Sequence, residues 1–349
     1  MAVLYVVEQG AVVSKRSEVV QVSKDGELLT TVPAFALEQV LLFGRVQLTA
    51  PARDFLLEKE IDTVFMTRTG RFRGRLTSYS GGNIELRQAQ FRFCDQDELL
   101  VDLGKRFVAG KLGNCRALLR RHQRRAQSPE VERALLRMRQ SLSLLEGAST
   151  LDEVRGYEGD GSASYFGCLN DLIKQPGFEF RRRTRRPPRD PFNALLSFGY
   201  TMLLGTVMTA VQVVGLEPYL GALHSPQRGR PSIALDLMEE FRPLLVDAIA
   251  IRAVNRRQFL AEEFEYRTEV AHDVDFADGE SPGSADYPVL LGRLGVKKWI
   301  ALYEEQLRSP IEYPRFGCRL SFGQIVLEQA RLLARHFQGE ESYQSFLVR

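Results

Sequence analysis

The sequence contains few cysteines, and they are scattered. The four are Cys94, Cys115, Cys168 and Cys318, and no two of them form a C-x-x-C pair. Cysteines this far apart argue against a disulfide framework and against a zinc site, which would use ligands in close pairs. The pattern favours a reducing compartment, and we expect the protein in the cytoplasm.

The sequence also lacks a recognisable secretion signal. The first ten residues carry no basic segment and include Glu8, unlike a signal peptide. One uncharged run, residues 193–214, is long enough to span a bilayer. Polar residues recur along it, as in the central helix of a soluble bundle; they are Asn193, Ser197, Thr201, Thr206, Thr209 and Gln212. We expect no membrane span, although this run alone would also suit a helical membrane protein.

A large excess of one charge is missing as well. The chain has 349 residues, a formal charge of +3 and a hydrophobic fraction of 44%, which are ordinary values for a globular protein of two domains. The charges are nevertheless segregated. Residues 105–139 and 181–189 are rich in arginine, whereas residues 262–286 are acidic. A basic stripe on a nearly neutral protein indicates a partner rich in phosphate.

The first eighty residues are patterned mainly as strands. Residues 19–23 and 27–32 flank Asp25 and Gly26, a dipeptide typical of a β-hairpin. Residues 35–43 carry apolar side chains at helical spacing, so a short helix is predicted there. The expected product is a small β-rich domain whose strand edges could pair with a second copy.

The polar, glycine-rich stretch 78–83 is the predicted domain boundary. Beyond it, apolar residues recur at helical spacing, and Pro129 after Ser128 is a typical helix start. We therefore predict an α+β protein. Residues 1–82 would form a β-rich N-terminal dimerisation domain, and residues 83–349 a larger all-α catalytic domain.

One segment, LHSPQRGRPSIALDLMEEFRP, places a histidine and acidic residues among apolar ones. A helix in its second half would put Asp236 and Glu239 on one face, because residues three apart are neighbours on a helix. A carboxylate among apolar residues is unfavourable unless it is paired or coordinates a cation. Glu239 is thus predicted either to pair with an arginine such as Arg242 or to bind a metal ion together with His224.

A second carboxylate, Glu158, lies in a helix-like run that also contains Tyr165 and four glycines. The glycines stand at positions 156, 159, 161 and 167. Each costs about 1 kcal/mol relative to alanine inside a helix, so a close approach of another backbone or of a ligand is expected there. On its own, Glu158 could equally be a solvated helix carboxylate.

A basic loop precedes the uncharged run. Its six arginines are Arg181, Arg182, Arg183, Arg185, Arg186 and Arg189. A charge run is usually a solvated surface, but this one lies between the two segments that carry the acidic residues and histidine. That position favours contact with the phosphates of DNA.

Several long motifs resemble the family of CRISPR-associated adaptation integrases. They are GYEGDGSASYFG, RRRTRRPPRDPFNALLSFGYTMLLG and GLEPYLGALHSPQRGRPSIALDLMEEFRP. Three further motifs agree with the family in the same order, namely GRFRGRL, NIELRQAQF and LSFGQIVLEQARLLARHF. The resemblance covers essentially the whole chain. The acidic residues 273–286 match no family motif.

The resemblance implies a metal site made of Glu158, His224 and Glu239. The third ligand is often aspartate in the family, and glutamate changes its reach but not its charge. Two carboxylates and an imidazole suit Mg²⁺ or Mn²⁺ and leave open positions on the ion. Asp236 is expected to orient a ligand. Asn193 and Tyr165 are expected near the site.

The resemblance further implies a DNA nuclease and integrase that inserts short fragments into a repeat array. A DNA 3′-hydroxyl would attack a phosphodiester with the help of the metal ion. The partners would be double-stranded DNA, a second copy of the chain and a small ferredoxin-like subunit. The alternative is a DNA-binding scaffold that shares the fold and has no catalytic activity.

Overall fold

The computed structural model describes residues 2–68, 72–76, 78, 83–124, 127–185, 187–266 and 288–348. Within these residues, the first part of the chain is rich in strands and the rest is mainly helical. The acidic residues 273–286 lie outside the described part of the chain.

Among its described residues, the strand-rich part contains one α-helix, α1 (Ala50–Glu58), and two four-stranded sheets. Its strands are β1 (Ala2–Val6), β2 (Val12–Arg16), β3 (Val19–Lys24), β4 (Glu27–Pro33), β5 (Leu37–Phe43), β6 (Gln47–Leu48), β7 (Asp62–Met66) and β8 (Phe72–Leu76). The first sheet has the order β1-β5-β7-β8, with only β8 antiparallel. The second has the order β4-β3-β2-β6 and includes the predicted hairpin of β3 and β4.

The helix predicted at residues 35–43 is wrong. A single 3-10 turn at Ala34–Ala36 leads into strand β5, which lies between β1 and β7. Six of the seven residues of β5 are buried, because a central strand is covered on both faces. A continuous apolar run of this kind has the same appearance in a buried strand and in a buried helix, so periodicity could not distinguish them.

The first sheet contributes to two hydrophobic cores. Val40 and Leu42 of β5 pack into the core between the two sheets, whereas Leu41 and Phe43 belong to the core of the helical part. Successive strand residues point to opposite faces, which explains this division. The ring centroids of Phe43 and Phe198 are 6.1 Å apart across the junction. The division at residue 82 stays a prediction.

The helical part contains nine helices in its described residues. They are α2 (Ile84–Cys94), α3 (Asp97–Gln123), α4 (Pro129–Glu146), α5 (Leu151–Gly167), α6 (Pro191–Val214), α7 (Ser232–Met238), α8 (Ala248–Asn255), α9 (Arg293–Arg308) and α10 (Phe322–Phe337). A π-helical turn, Pro243–Asp247, joins α7 to α8.

The prediction of an all-α second domain needs correction. Two short antiparallel sheets accompany the helices, one formed by β9 (Phe264–Tyr266) and β10 (Val289–Leu291), the other by β11 (Pro310–Tyr313) and β12 (Cys318–Ser321). The strands have only three or four residues each, which is too short for a period of two to stand out in the sequence.

Helix α6 is the uncharged run noted in the sequence. Its length and composition would suit a membrane span, but 56% of its most apolar window is buried inside the protein. Several of its polar groups find partners as expected, although Gln212 Oε1 is buried without a hydrogen-bond donor among the described residues. Thr206 Oγ1 lies 2.8 Å from the hydroxyl of Tyr303, and Gln39 donates to Thr209 Oγ1 at 2.7 Å. These contacts are those of a helix at the centre of a folded domain.

Candidate active site

Asp236 of α7 organises the loop that carries His224. One of its oxygens, Oδ2, accepts hydrogen bonds from the backbone N–H groups of Ala222 at 2.7 Å and Leu223 at 3.0 Å. The other, Oδ1, accepts the backbone N–H of His224 at 2.9 Å. Gly221 permits this wrapping, because a Cβ there would lie 2.7 Å from Asp236 Oδ2. The carboxylate is fully buried and fixes the loop in place.

The same carboxylate orients the ring of His224. Its Nδ1 lies 2.6 Å from Asp236 Oδ1. An ionised carboxylate can only accept a hydrogen bond, so Nδ1 carries the proton and Nε2 keeps its lone pair. Nε2 faces Glu239 and lies 4.0 Å from its Oε1. Asp236 thus has the contacts expected of a residue that orients a metal ligand.

Arg155 of α5 also binds the loop that carries His224. Its Nε donates to the backbone oxygen of Leu223 at 2.9 Å, and its Nη2 donates to Ser225 Oγ at 2.9 Å. Arg155 precedes Glu158 by three residues, so both lie on one face of α5. Sequence reasoning missed Arg155, although its spacing from Glu158 was a usable signal.

Glu158 reaches the site because α5 packs closely on α3. A Cβ at Gly161 would lie 2.6 Å from the side chain of Leu112 of α3, so a larger residue there would have to displace that side chain. The predicted close approach of another backbone or a ligand is not seen at the four glycines: Gly161 meets a side chain, and among the described residues nothing lies within 4 Å of a Cβ built at Gly156, Gly159 or Gly167. Glu158 Oε1 accepts a hydrogen bond from Ser162 at 2.7 Å.

Lys111 of α3 connects the two glutamates, and sequence reasoning missed it. Its ammonium group pairs with Glu158 Oε1 and lies 2.8 Å from Glu239 Oε2. The lysine is only 6% exposed. Burial would lower its pKa, but the charges of Glu239 and Glu158 raise it overall, so the group is a cation. The signal in the sequence was a single lysine on the apolar face of a helix, beside Val108 and Leu112.

Glu239 is surrounded by positive charge. Its Oε1 lies 3.2 Å from Arg242 Nε, so the arginine pair that the sequence left open is present beside the histidine. Burial would raise its pKa, but Arg242, Lys111 and His224 together lower the pKa to about 2. Although Lys111 is close, its angle leaves Oε2 of Glu239 without a hydrogen-bond donor among the described residues.

These groups fit a divalent ion. Within the described part of the chain, no three His, Cys, Asp or Glu side chains are close enough to hold a metal as they stand. The ammonium of Lys111 lies between the two carboxylates and explains their separation. A buried carboxylate oxygen without a donor, a second carboxylate and a free imidazole nitrogen are the donors that Mg²⁺ or Mn²⁺ would use.

A further buried carboxylate, Asp247, lies beside this cluster. It accepts hydrogen bonds from the hydroxyls of Tyr165 at 2.8 Å and Tyr200 at 2.6 Å. Burial raises its pKa to about 6 against the effect of these bonds. Tyr165, Tyr200 and Asp247 line a small cavity that Lys111 and Arg242 also border. Tyr165 therefore adjoins the site through this cavity rather than by bonding to Glu158, His224 or Glu239.

Asn193 binds the arginine loop, and its described hydrogen bonds include none to the three proposed ligands. Its Oδ1 accepts from Arg183 Nη1 at 2.8 Å and from the N–H of Thr184 at 3.0 Å, and its Nδ2 donates to the backbone oxygen of Arg182 at 2.8 Å. Arg183 also donates to Ser197 Oγ at 3.2 Å. Asn193 connects the loop to the start of α6.

The arginines of the loop differ in their surroundings. Arg183 is turned inward, with its guanidinium carbon 5.3 Å from the ring centroid of Tyr200. Burial lowers its pKa to about 10. Arg181, Arg182 and Arg185 are exposed, and Arg189 is partly buried. Arg186 lies outside the described residues. Contact with DNA stays a prediction for this loop, and Arg183 contributes to it least because its side chain is engaged internally.

Comparison with known proteins gives consistent results. Residues 4–275 match the family model described as CRISPR associated protein Cas1. The CRISPR-associated endonuclease Cas1 3 of Thermus thermophilus is 33% identical over 352 residues, an alignment that covers 100% of this chain and 98% of that protein.

Two solved structures share the fold. A Cas6-RT-Cas1–Cas2 complex matches with a TM-score of 0.83 and 23% identity, covering 99% of this chain and 36% of that chain. A casposase bound to integration product matches with a TM-score of 0.81 and 18% identity, covering 99% of this chain and 93% of that chain. At these identities the similarity establishes the fold alone.

Proposed function

The chain belongs to the CRISPR-associated Cas1 family, and from this we propose that it is a metal-dependent DNA nuclease and integrase of CRISPR adaptation. It would insert short foreign DNA fragments into a repeat array by transesterification from a 3′-hydroxyl. The main support is the set of contacts around Glu239: Lys111 joins it to Glu158 of another helix, and His224 Nε2 lies 4.0 Å from its Oε1. The relative from Thermus thermophilus, named an endonuclease, supports the reaction class.

Glu158, His224 and Glu239 would hold the ion. A bound Mg²⁺ or Mn²⁺ would lower the pKa of an attacking hydroxyl and stabilise the charge that develops on the phosphate. Asp236 holds the proton of His224 Nδ1 and thereby keeps Nε2 directed at the metal position. Arg155 fixes the backbone of the histidine loop.

The exposed arginines of the loop 181–189 would bind the phosphates of double-stranded DNA. The solved complex that contains Cas1 and Cas2 supports a second, smaller protein as partner, and we propose a ferredoxin-like subunit in that place. A cytoplasmic location follows from the DNA substrate and from the scattered cysteines.

We also propose a homodimer through the strand-rich part. Strand β4 is an edge strand of its sheet among the described residues, and Leu28 and Leu29 on it are 56% and 44% exposed. Removing residues 1–82 would uncover the helical core that Phe43 covers, so point changes are the better test. Leu28→Glu with Leu29→Glu should give a monomer in sedimentation; a dimer would place the interface elsewhere.

A scaffold without catalysis is the alternative. It is less favoured because all three proposed ligands are present in the sequence, and because Asp236 contacts His224 Nδ1 while His224 Nε2 lies 4.0 Å from Glu239. The test is a strand-transfer assay with labelled duplex fragments and a supercoiled plasmid that bears a repeat, with Mg²⁺ or Mn²⁺ and with EDTA. Joining that depends on the metal supports the enzyme. DNA binding without any joining in either metal favours the scaffold.

A further inference from the structure

The ammonium group of Lys111 lies where a cation is required. It pairs with Glu158, lies 2.8 Å from Glu239 Oε2, and is nearly excluded from water. Two carboxylates held this close in a buried site repel each other unless a positive charge lies between them. In the absence of a divalent ion, Lys111 supplies that charge.

An ammonium group and a divalent ion cannot share this position. Both would use the oxygens of Glu158 and Glu239 that face each other, and a unit positive charge a few ångströms from the ion would repel it strongly in a site of low dielectric constant. The lysine therefore has to leave the carboxylates when the metal ion enters.

The structure offers a place for the displaced group. The cavity beside the site is bordered by Lys111 and by Asp247 with its two tyrosine partners. The charges of Lys111, Glu158, Glu239 and Asp247 all act on the thiol of Cys115, one turn after Lys111 on α3, so the four groups lie near that thiol. The long, flexible side chain of a lysine can move between two acceptors that border one cavity.

We propose that Lys111 is a resident counter-cation: it neutralises Glu158 and Glu239 in the metal-free protein and moves toward Asp247 when the metal ion binds. The inference depends on the proposed metal site. It assigns Lys111 a positioning role and makes Asp247 the acceptor for the lysine in the metal-bound state.

The test compares the Mn²⁺ affinity of metal-free full-length variants by calorimetric titration, with thermal unfolding in EDTA as a second readout. Lys111→Met removes the competing charge, so Mn²⁺ should bind at least about tenfold more tightly while the metal-free melting temperature falls. Lys298→Met is the matched control, because Lys298 also pairs with a glutamate, Glu263, but at a distance from the site. Its Mn²⁺ affinity should equal that of the unmodified chain.

Two further variants keep the inference testable if Lys111→Met does not fold. Lys111→Arg keeps the charge on a bulkier group that the small cavity accommodates poorly, so Mn²⁺ should bind more weakly. Asp247→Asn removes the acceptor and should also weaken Mn²⁺ binding. In the Lys111→Met background the same change should leave the Mn²⁺ affinity unaltered, because no lysine then needs the acceptor.

The outcomes separate the two hypotheses. If the unmodified chain binds no Mn²⁺, or if Glu239→Gln does not remove its Mn²⁺ binding, the proposed metal site is wrong, and this inference is wrong with it. If the unmodified chain binds Mn²⁺ at that site but Lys111→Met binds it equally or more weakly, only the counter-cation role of Lys111 is wrong. Equal affinity in the Lys111→Arg variant also contradicts that role.

Discussion

Glu239 and Glu240 are consecutive residues, both buried, yet they lie in pockets of opposite character. Burial would raise the pKa of Glu239, but the charges of Arg242 and Lys111, together with the neighbouring His224, lower it to about 2. Glu240 is surrounded by uncharged donors, and its burial raises its pKa to about 8. Burial alone therefore does not determine the charge of a carboxylate in this protein. The charges brought to it by other segments do.

The pocket of Glu240 serves the architecture of the chain. Its Oε1 accepts from Gln329 of α10 at 3.0 Å and from the hydroxyl of Tyr343 at 3.1 Å, and its Oε2 accepts the N–H of Phe346 at 3.0 Å. Asn114 of α3 binds the same tail, donating to the backbone oxygen of Phe346 at 2.8 Å. Glu239 therefore belongs to the candidate active site, whereas Glu240 anchors the C-terminal residues around Tyr343 and Phe346.

The largest expected effect comes from Glu239→Gln. The change keeps the shape and removes the charge, so the protein should fold and bind DNA but lose strand transfer by at least about 1,000-fold. His224→Ala and Glu158→Ala should behave similarly, and double variants should be hardly worse, because ligands of one ion act as a unit. Full activity of Glu239→Gln at limiting metal in the strand-transfer assay would contradict the proposed site.

Asp236→Asn should have a smaller effect. The amide oxygen can still accept some of the hydrogen bonds from the loop. The amide carries no negative charge, however, so it attracts the proton on His224 Nδ1 less strongly. We expect strand transfer to fall about 10-fold to 100-fold, with partial rescue by excess Mn²⁺. If excess Mn²⁺ rescues Glu239→Gln equally well, the assigned roles of the two residues are not distinct.

Glu240→Gln tests the uncharged pocket. Below about pH 4.5, where Glu240 is protonated in both the folded and the unfolded chain, the neutral replacement should reduce the free energy of unfolding by only about 1 kcal/mol, for one hydrogen bond lost where the amide N–H₂ meets a donor. Strand transfer should stay near that of the unmodified chain. A loss as large as that of Glu239→Gln would show that both pockets take part in catalysis.

The unmodified chain and Glu240→Gln should also differ in how their free energy of unfolding depends on pH. The pKa of Glu240 is raised from 4.5 to about 8 on folding. Its favourable contribution to the free energy of unfolding is therefore complete below pH 4.5 and is lost as the pH rises through 8. The unmodified chain should therefore lose its advantage over Glu240→Gln between pH 5 and pH 9, as followed by denaturant unfolding. A difference that stays constant over this range would indicate that Glu240 is ionised in the folded protein at neutral pH.

The smallest effect is expected at the exposed arginines. Each phosphate contact contributes about 0.9 to the slope of log affinity against log salt, so Arg182→Ala with Arg185→Ala should reduce the slope by about 2. Arg16→Ala with Arg53→Ala removes the same charge from exposed positions of the strand-rich part and serves as the control. An equal change of slope in both variants would show a general charge effect and no contact by this loop.

Sequence patterns predicted the features that depend on local order. The β3-β4 hairpin follows from a turn dipeptide between alternating strands, and α6 was predicted with partners for its polar groups. The motifs, which retain the family order along the whole chain, identified the Cas1 family, and the match over residues 4–275 confirms it. Local patterns failed at β5, since a strand covered on both faces has no period of two.

The identity of the proposed ligands came from the sequence by itself, but their environment came only from the tertiary structure. The arginine contact predicted as one alternative for Glu239 is present, and His224 approaches the same oxygen, while metal binding by Glu239 and His224 stays a prediction. Lys111 contacts Glu158 and Glu239, which follow it by 47 and 128 residues, and no pattern within one helix indicates a contact at such separations. Charge, burial and pKa at this site depend on which helices pack together, and that packing is a property of the whole fold.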